Sequence, residues 1–548
     1  MSNSTKFIFV AGGVMSGIGK GVTTASIGRI LKNYGFRVSA VKIDPYLNVD
    51  AGTMNPIEHG EVFVTSDGVE CDQDIGNYER FLDQEIPREN YLTSGLIYKT
   101  VIEQERNLEF EGKCVEIIPH IPSEVMRRLD QAAHKSQADF LLVEIGGTVG
   151  EYQNLIFLET ARILRIQRPK HVLFLLVSYV PIPEMIGEMK TKPTQHAVRL
   201  LNSAGLQPDI IIARSKQAID APRKRKIALF CNVSEEDVIS APDIASIYEV
   251  PSNFEKDKLD EKILKKFNIK KPNKKDSSFH FLVKKIRKVL DKDVKKVRIG
   301  VIGKYFETGD FILADSYISV IEAVRQAAFS LGIKPEIDWL NAEKYEKNSR
   351  ELNELKKYHG VIVPGGFGSR GVEGKILAIN FIRKNKIPFL GLCYGLQLAV
   401  VEFARNMCDL KGAHTSEVEP KTKFPVIDTM PEQLVNMREK KMGGSMRLGA
   451  YQCRIKQGTL ARRIYKTSFI QERHRHRYEL NNYFRDALEE KGLIISGINQ
   501  ERNLAEIIEL KNHPFFIAVQ FHPEFQSRPL NPHPLFKALI QKAALFSK

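Results

Sequence analysis

Residues 388–397 read Pro-Phe-Leu-Gly-Leu-Cys-Tyr-Gly-Leu-Gln, and this stretch decides the fold of the second half of the chain. A short apolar run ends in a cysteine between small residues, Gly391, Cys393 and Gly395, and a helical pattern starts immediately after it. This is the G-x-C-x-G pattern of a strand-to-helix elbow, where small neighbours permit a sharp turn that lifts the central side chain clear of the sheet. The helix N-terminus beneath it favours a thiolate. A second apolar run, residues 515–521, ends in His522-Pro523-Glu524. Parallel strands end on one edge of their sheet, so a base and its orienting carboxylate can meet Cys393 there. A lone cysteine is more often a small core residue; in this turn, with His-x-Glu at another strand end, it reads as a nucleophile.

Outward from the elbow, both halves of the chain alternate short apolar strands with amphipathic helices. Residues 7–11, 38–43, 140–143, 172–177 and 210–213 read as strands of the first half, and 297–302, 360–363, 389–392 and 516–519 as strands of the second. The alternation predicts an α/β protein of two doubly wound domains, each a parallel sheet covered on both faces. Asn268 to Ser278 is polar and Lys-rich and contains Pro272, while Phe279, Leu282, Val283, Ile286, Val289 and Leu290 follow helical spacing. The expected division is therefore a first domain over 1–270, a basic linker with a connecting helix over 271–296, and a second domain over 297–548.

A chain of 548 residues with 43% hydrophobic residues can bury large cores. No run of 18 apolar residues occurs, so no membrane span is expected, and Met1 to Lys6 lacks a secretory pattern. The six cysteines (71, 114, 231, 393, 408 and 453) include no C-x-x-C pair, which argues against a disulfide framework or structural zinc and fits a reducing cytoplasm. Net charge is +15, and residues 265–298 hold 14 Lys/Arg against three Asp, a local net of +11. That segment reads as a solvated linker helix, or as an electrostatic patch for RNA or an acidic partner. No nucleic-acid-binding module accompanies it.

The first strand runs into Gly12-Gly13-Val14-Met15-Ser16-Gly17-Ile18-Gly19-Lys20-Gly21. A glycine-rich loop opening a helix is a phosphate cradle, with backbone amides and the helix dipole aimed at the anion and Lys20 neutralising its charge. Against G-x-x-x-x-G-K-[ST], Val14 stands in place of the first glycine and Gly21 in place of the hydroxyl. Glu144 closes an apolar strand and suits magnesium, Asp72 and Asp74 offer a second ligand, and Lys42 adds a cation at another strand end.

The Cys-His-Glu constellation resembles the class I glutamine amidotransferases, which release ammonia from glutamine and build an oxyanion hole from backbone amides in a segment like Val363–Gly368. The phosphate loop resembles that of the dethiobiotin-synthetase-like ATPases. Gly12–Gly21, Lys42–Val49, Gly52–Pro56, His59–Thr65, Asp74–Phe81, Val143–Gly150, Lys190–His196, Gly443–Gly449 and Glu472–Glu479 together resemble the CTP synthases, in order along nearly the whole chain.

The resemblance implies an ATP-dependent amination of UTP to CTP through a 4-phosphorylated UTP, with glutamine or ammonia as nitrogen donor. It implies Cys393, His522 and Glu524 as the glutaminase triad. Gly17, Ile18, Gly19, Lys20, Gly21, Val22, Lys42 and Asp74 would hold ATP, with Ile244 near adenine and Asp74 and Glu144 holding Mg2+. Ser16, Glu151, Tyr152, Gln153, Lys190, Thr191, Lys192, Pro193, Thr194, Gln195 and Lys226 would hold UTP or competing CTP. Gly366, Tyr394, Gly395, Leu396, Gln397, Glu417 and Arg477 would bind glutamine, with Arg477 on its carboxylate and Glu417 on its ammonium. Pro56, His59 and Val62 fall where ammonia crosses between sites, and a histidine there can equally be a satisfied buried side chain.

It further implies GTP as an allosteric activator, a cytoplasmic homotetramer able to stack into filaments, and no nucleic acid or membrane partner. The family's D-I-E reads Glu151-Tyr152-Gln153 here, which implies altered CTP feedback, and the lid segment Pro431–Lys441 is short, which bears on GTP activation. GMP synthetases share the glutaminase, but no S-G-G-x-D-S loop occurs; cobyrinate-type amidases share both folds but not the K-T-K-P-T-Q run. A catalytically dead scaffold would not need Cys393, His522, Glu524, Lys20, Asp74 and Glu144 together.

Overall fold

The computed structural model describes residues 5–546 apart from 274, 292, 304–306, 309–310, 313 and 431–445. The lid segment Pro431–Lys441 and Gly443–Ser445 thus lie outside the described residues. The chain forms two compact units, one of residues 1–51 with 74–284, the other of 52–73 with 285–548.

The first unit is built on seven parallel strands. Its strands are β1 (Lys6–Gly13), β2 (Val38–Asp44), β5 (Tyr91–Thr93), β6 (Phe140–Thr148), β7 (Val172–Tyr179), β8 (Ile210–Ser215) and β9 (Val238–Pro242), while β3 (Val62–Val64) and β4 (Glu70–Asp72) are an antiparallel hairpin of the second unit. The order across the sheet is β5-β2-β6-β1-β7-β8-β9. The strands are almost wholly buried, as β1, β2 and β7 show, because helices cover both faces. Helix α1 (Lys20–Asn33) follows β1 through the glycine loop, and α2 (Gln73–Leu82), α3 (Lys192–Ser203) and the linker helix α4 (Ser278–Asp291) come later in the chain. In α4 the spacing read from sequence holds, since Phe279, Val283, Ile286 and Val289 are buried.

The main sheet of the second unit has nine strands: β10 (Lys296–Gly303), β11 (Lys334–Asn341), β12 (Gly360–Val363), β13 (Phe389–Leu392), β14 (Arg447–Ile455), β15 (Phe469–His476), β16 (Leu493–Asn499), β17 (Leu504–Leu510) and β18 (Phe516–Val519). Their order is β11-β10-β12-β13-β18-β17-β16-β14-β15. The first five are parallel, and the four expected from sequence are all among them. The last four extend the sheet antiparallel, which strand–helix alternation could not announce. Helices α5 (Ile318–Ser330), α6 (Tyr394–Met407) and the short α7 (Leu460–Tyr465) complete the labelled elements.

The hairpin β3–β4 is fastened within this unit. Glu70 pairs with Arg475 at 2.7 Å, and the Arg473 guanidinium donates to the Val64 carbonyl at 3.1 Å. Phe63 packs on Phe525 with ring centroids 4.9 Å apart, and the Ala450 amide donates to the Ser66 carbonyl at 2.8 Å. Glu61 accepts the Ser319 amide at 3.2 Å at the start of α5.

Candidate functional site

Strands β13 and β18 are parallel neighbours, with Leu392 opposite Val519, so the residues that follow them meet at one sheet edge. Cys393 sits at φ 49°, ψ −99°, with its amide donating to the Val519 carbonyl at 2.7 Å. Such a conformation costs a non-glycine residue on the order of 1–3 kcal/mol and persists only where the surroundings enforce it. Gly395 shows why a small neighbour is required, since a Cβ there would lie 2.1 Å from the Val363 carbonyl oxygen.

His522 donates from Nδ1 to Glu524 Oε1 at 2.7 Å, and its ring stacks on Phe525 at 5.0 Å. This fixes the tautomer and leaves Nε2, buried without a hydrogen-bond partner, for the thiol. Burial alone would raise the thiol, but the facing His522 charge and the His476 ring outweigh it and bring Cys393 down to about 6. Burial would lower His522, but Glu524 and the thiolate push it up to about 10.

The composition of the sequence did not reveal a second imidazole. His476 donates from Nε2 to Glu479 at 2.7 Å, and its Nδ1 is buried without a hydrogen-bond partner. It interacts with the Cys393 sulfur and lines the same cavity. Arg447 holds Glu479 at 2.9 Å and Glu506 at 2.7 Å, and His474 stands 3.5 Å from Glu506. Burial lowers His474 well below the usual histidine range, so it is neutral, whereas Glu479 and the sulfur overcome burial at His476 and raise it to about 9. In sequence His476 and Glu479 stood out only as part of the Glu472–Glu479 block that resembles the CTP synthases, with no role attached to either.

A cavity of about 440 Å³ opens on Cys393 and is lined by Gly366, Gln397, Glu417, Arg477 and His476, together with Gly52, Thr53 and Met54. The structure therefore brings four of the expected glutamine-binding residues to the thiol. Glu417 accepts the Gly368 amide at 2.6 Å, and Gln397 donates to the Tyr478 carbonyl at 2.9 Å. Tyr394 and Leu396 are buried in α6; the Tyr394 hydroxyl donates to the Gly368 carbonyl at 2.9 Å, and the Leu396 amide to the Cys393 carbonyl at 3.0 Å. On the other side of the thiol a cavity of about 60 Å³ is lined by Val62, Glu61, His522 and Phe525. It has room for water-sized molecules. His59 stands 3.8 Å from Asp72.

In the first unit, Lys42 and Glu144 are register partners on β2 and β6. The Lys42 ammonium bonds Glu144 at 3.0 Å and Asp74 at 2.5 Å, and Tyr78 donates to the second oxygen of Glu144. Burial and then the Asp74 charge push Glu144 up to about 7, while at Asp74 the ammonium of Lys42 overcomes burial and holds the carboxyl low. A Cβ at position 21 would lie 1.8 Å from Asp74 Oδ1, so glycine in place of the usual hydroxyl residue lets the carboxylate approach the loop. Gly17 and Gly19 adopt φ of 70° and 85°, and Lys20 donates to the Gly147 carbonyl at 3.0 Å. Gly17, Gly19, Val22 and Ile244 line a cavity of about 290 Å³, with Arg214, Asp243 and Phe254, which sequence did not single out.

The residues expected at the pyrimidine nucleotide follow β1, β6 and β7, except Lys226, which lies on the helix after β8. Ser16, Tyr152, Gln153 and Lys226 are exposed, Lys190 pairs with Glu188 at 2.7 Å, and Lys192 lies over the Phe230 ring at 5.5 Å. Thr194 is buried, its hydroxyl accepting from Ser178 at 2.9 Å and donating to the Tyr179 carbonyl at 3.4 Å, and Gln195 donates to Thr191 at 3.1 Å. A single chain thus leaves many of these groups open to solvent.

A family model described as "CTP synthase N-terminus" matches residues 6–269, and one described as "Glutamine amidotransferase class-I" matches 312–542. The chain is similar to a protein named CTP synthase from Methanothermobacter thermautotrophicus, 48% identical over 545 residues and 99% of each chain. One from Thermococcus gammatolerans is 49% identical over 543 residues, 98% of each chain, and one from Methanococcoides burtonii 50% identical over 538, 98% of this chain and 97% of the other. A solved glutaminase domain of Trypanosoma brucei CTPS with bound acivicin is 34% identical, covers 45% of this chain and 94% of its own, and superposes with a TM-score of 0.42.

Proposed function

The chain belongs to the CTP synthase family, and from that premise we propose which of its residues carry each half of the reaction. The overall reaction is the glutamine-dependent conversion of UTP to CTP by a ligase of pyrimidine biosynthesis. In the glutaminase half the Cys393 thiolate adds to the side-chain amide carbon. Backbone amides around Gly366 receive the oxyanion, an interaction commonly worth about 3 kcal/mol. His522 gives its proton to the departing ammonia, leaving an acyl-enzyme, then takes one from the attacking water, while Glu524 holds its ring. Arg477 meets the substrate carboxylate and Glu417 its ammonium. His476, held by Glu479, is a positioning residue on the far side of the sulfur. Val62 and Glu61 line the way out for ammonia.

In the synthase half, Gly17–Val22 and Lys20 hold the phosphates of ATP, with Ile244 beside the adenine. Asp74 and Glu144 suit Mg2+, because a buried and a partly buried carboxylate already share one cation and a magnesium arriving with nucleotide phosphates needs no larger protein cage. The ion would neutralise phosphate charge. Lys42 stabilises the group passed to the uracil 4-oxygen, and ammonia then displaces phosphate at C4. Ser16, Glu151–Gln153, Lys190–Gln195 and Lys226 hold UTP, with CTP as product and inhibitor. We extend the reading to activation by GTP, a homotetramer and a cytoplasmic site; among the described residues no helix is long and apolar enough to cross a membrane.

The observation that carries this reading is Cys393 at a strained elbow facing a His522 already oriented by Glu524 at 2.7 Å. Purified protein with UTP, ATP and magnesium forms CTP from glutamine or ammonium. The Cys393→Ala variant loses glutamine use and keeps ammonium use. If both survive, Cys393 is not the nucleophile.

A further inference from the structure

Far from the thiol, a cavity of about 600 Å³ lies among β14, β15, β16 and α7. Its lining includes four cations, Arg454, Lys456, Arg462 and Arg485, and no carboxylate. Arg454 follows Arg447 by seven residues along β14, on the order of 23 Å at strand rise, so this is not an extension of the glutamine cavity. Among the described residues, Arg485 alone of the four has a carboxylate within ion-pair distance, Glu489 at 3.5 Å, and it also donates to Asn503 at 3.4 Å. Among the described residues the charged groups of Arg454, Lys456 and Arg462 make no hydrogen bond or ion pair.

Two further atoms point the same way. Arg462 Nη1 and Ser496 Oγ are buried without a hydrogen-bond partner, and Ser496 is wholly buried at the cavity wall. Buried donors are ordinarily satisfied, and a cluster of unpaired cations repels itself unless an anion joins it. Arg side chains match phosphate oxygens in a planar fork, and a hydroxyl supplies a further donor. The floor is formed by the paired strands themselves, where the Lys456 amide donates to the Ser496 carbonyl and the Ile455 amide to the Ser468 carbonyl, each at 2.8 Å. The volume suits a small molecule rather than a single ion.

We propose that this cavity, between the antiparallel strands and α7 of the second unit, is a binding site for a phosphorylated small molecule, with Arg454, Lys456, Arg462 and Ser496 as its phosphate-binding groups. The site has no part in the glutaminase chemistry, so its occupancy is separable from that reading.

The test titrates the full chain with inorganic pyrophosphate at constant ionic strength by calorimetry. Arg454→Gln, Arg462→Gln and Ser496→Ala are compared with Lys511→Gln, a control at an exposed lysine outside the cavity. The phosphate loop of the first unit binds pyrophosphate equally in all of them, so the difference isotherm belongs to this cavity. The expected result is a saturable component weakened at least tenfold in each arginine variant and unchanged in Lys511→Gln, with glutamine hydrolysis intact throughout. Identical isotherms for wild type and both arginine variants overturn the proposal. So does equal weakening in Lys511→Gln, which reports diffuse charge, or binding of long polyanions without any pyrophosphate component, which reports a macromolecular surface.

Discussion

At neutral pH the Cys393 thiol, brought to about 6, and the His522 imidazole, raised to about 10, stand as an ion pair. The two titrate together, and the thiolate is lost as pH falls through the lower value. Alkylation of Cys393 by iodoacetamide is therefore expected to fall about tenfold per pH unit well below 6. His476→Asn removes one of the groups that hold the thiol down, so the midpoint moves up and alkylation at pH 6 slows by roughly three- to tenfold. A purely structural role for His476 would change melting temperature and leave the alkylation midpoint in place. The triad was legible in the sequence because each member sits at a strand end beside an unmistakable turn. His476, Glu479, Arg447 and Glu506 were not, since their meeting depends on three antiparallel strands and on Arg447 being taken fully out of water.

The elements explain what the glycines are for. Gly395 lets the first turn of α6 lie against β12, and alanine there must displace the Val363 backbone. Gly395→Ala is expected to destabilise the second unit by about 2 kcal/mol, and to lower glutamine-dependent CTP formation more than ammonium-dependent formation. Thermal melts with both assays check it; equal losses in the two assays would place the damage elsewhere. The parallel strands were readable as short apolar runs because they are buried on both faces. Strand β15 was not, because Arg473, His474, Arg475 and His476 look like a solvent-facing charge run and are in fact buried, each facing a partner from another element.

At the scale of the whole molecule, the boundary between units is not a single cut in the sequence. Residues 52–73 belong with 285–548, and they supply Glu61 and Val62 to one cavity at the thiol and Gly52, Thr53 and Met54 to the other. A chain of 285–548 alone lacks those walls and leaves Arg475 without Glu70. Removing one partner of a buried pair costs on the order of 3–5 kcal/mol, so this fragment is expected to hydrolyse glutamine at least tenfold more slowly than the full chain. Equal kcat in a glutaminase assay would show that the hairpin is dispensable. Sequence reading put 52–73 with its neighbours in the chain, since nothing local marks a hairpin whose partners lie hundreds of residues away.

The same discontinuity sets a timetable for synthesis. A ribosome releases the segment 52–73 some 210 residues before residue 285 emerges, which at roughly 5–20 residues per second is a wait of about 10–40 s. During that interval Val62 and Phe63, which end up buried, have no partner to cover them, although the flanking stretches already belong to a unit that can close. The nascent chain therefore holds an uncovered apolar ribbon on a domain that is itself incomplete, the kind of segment that chaperones shield and that crowded polysomes tend to join between neighbouring chains.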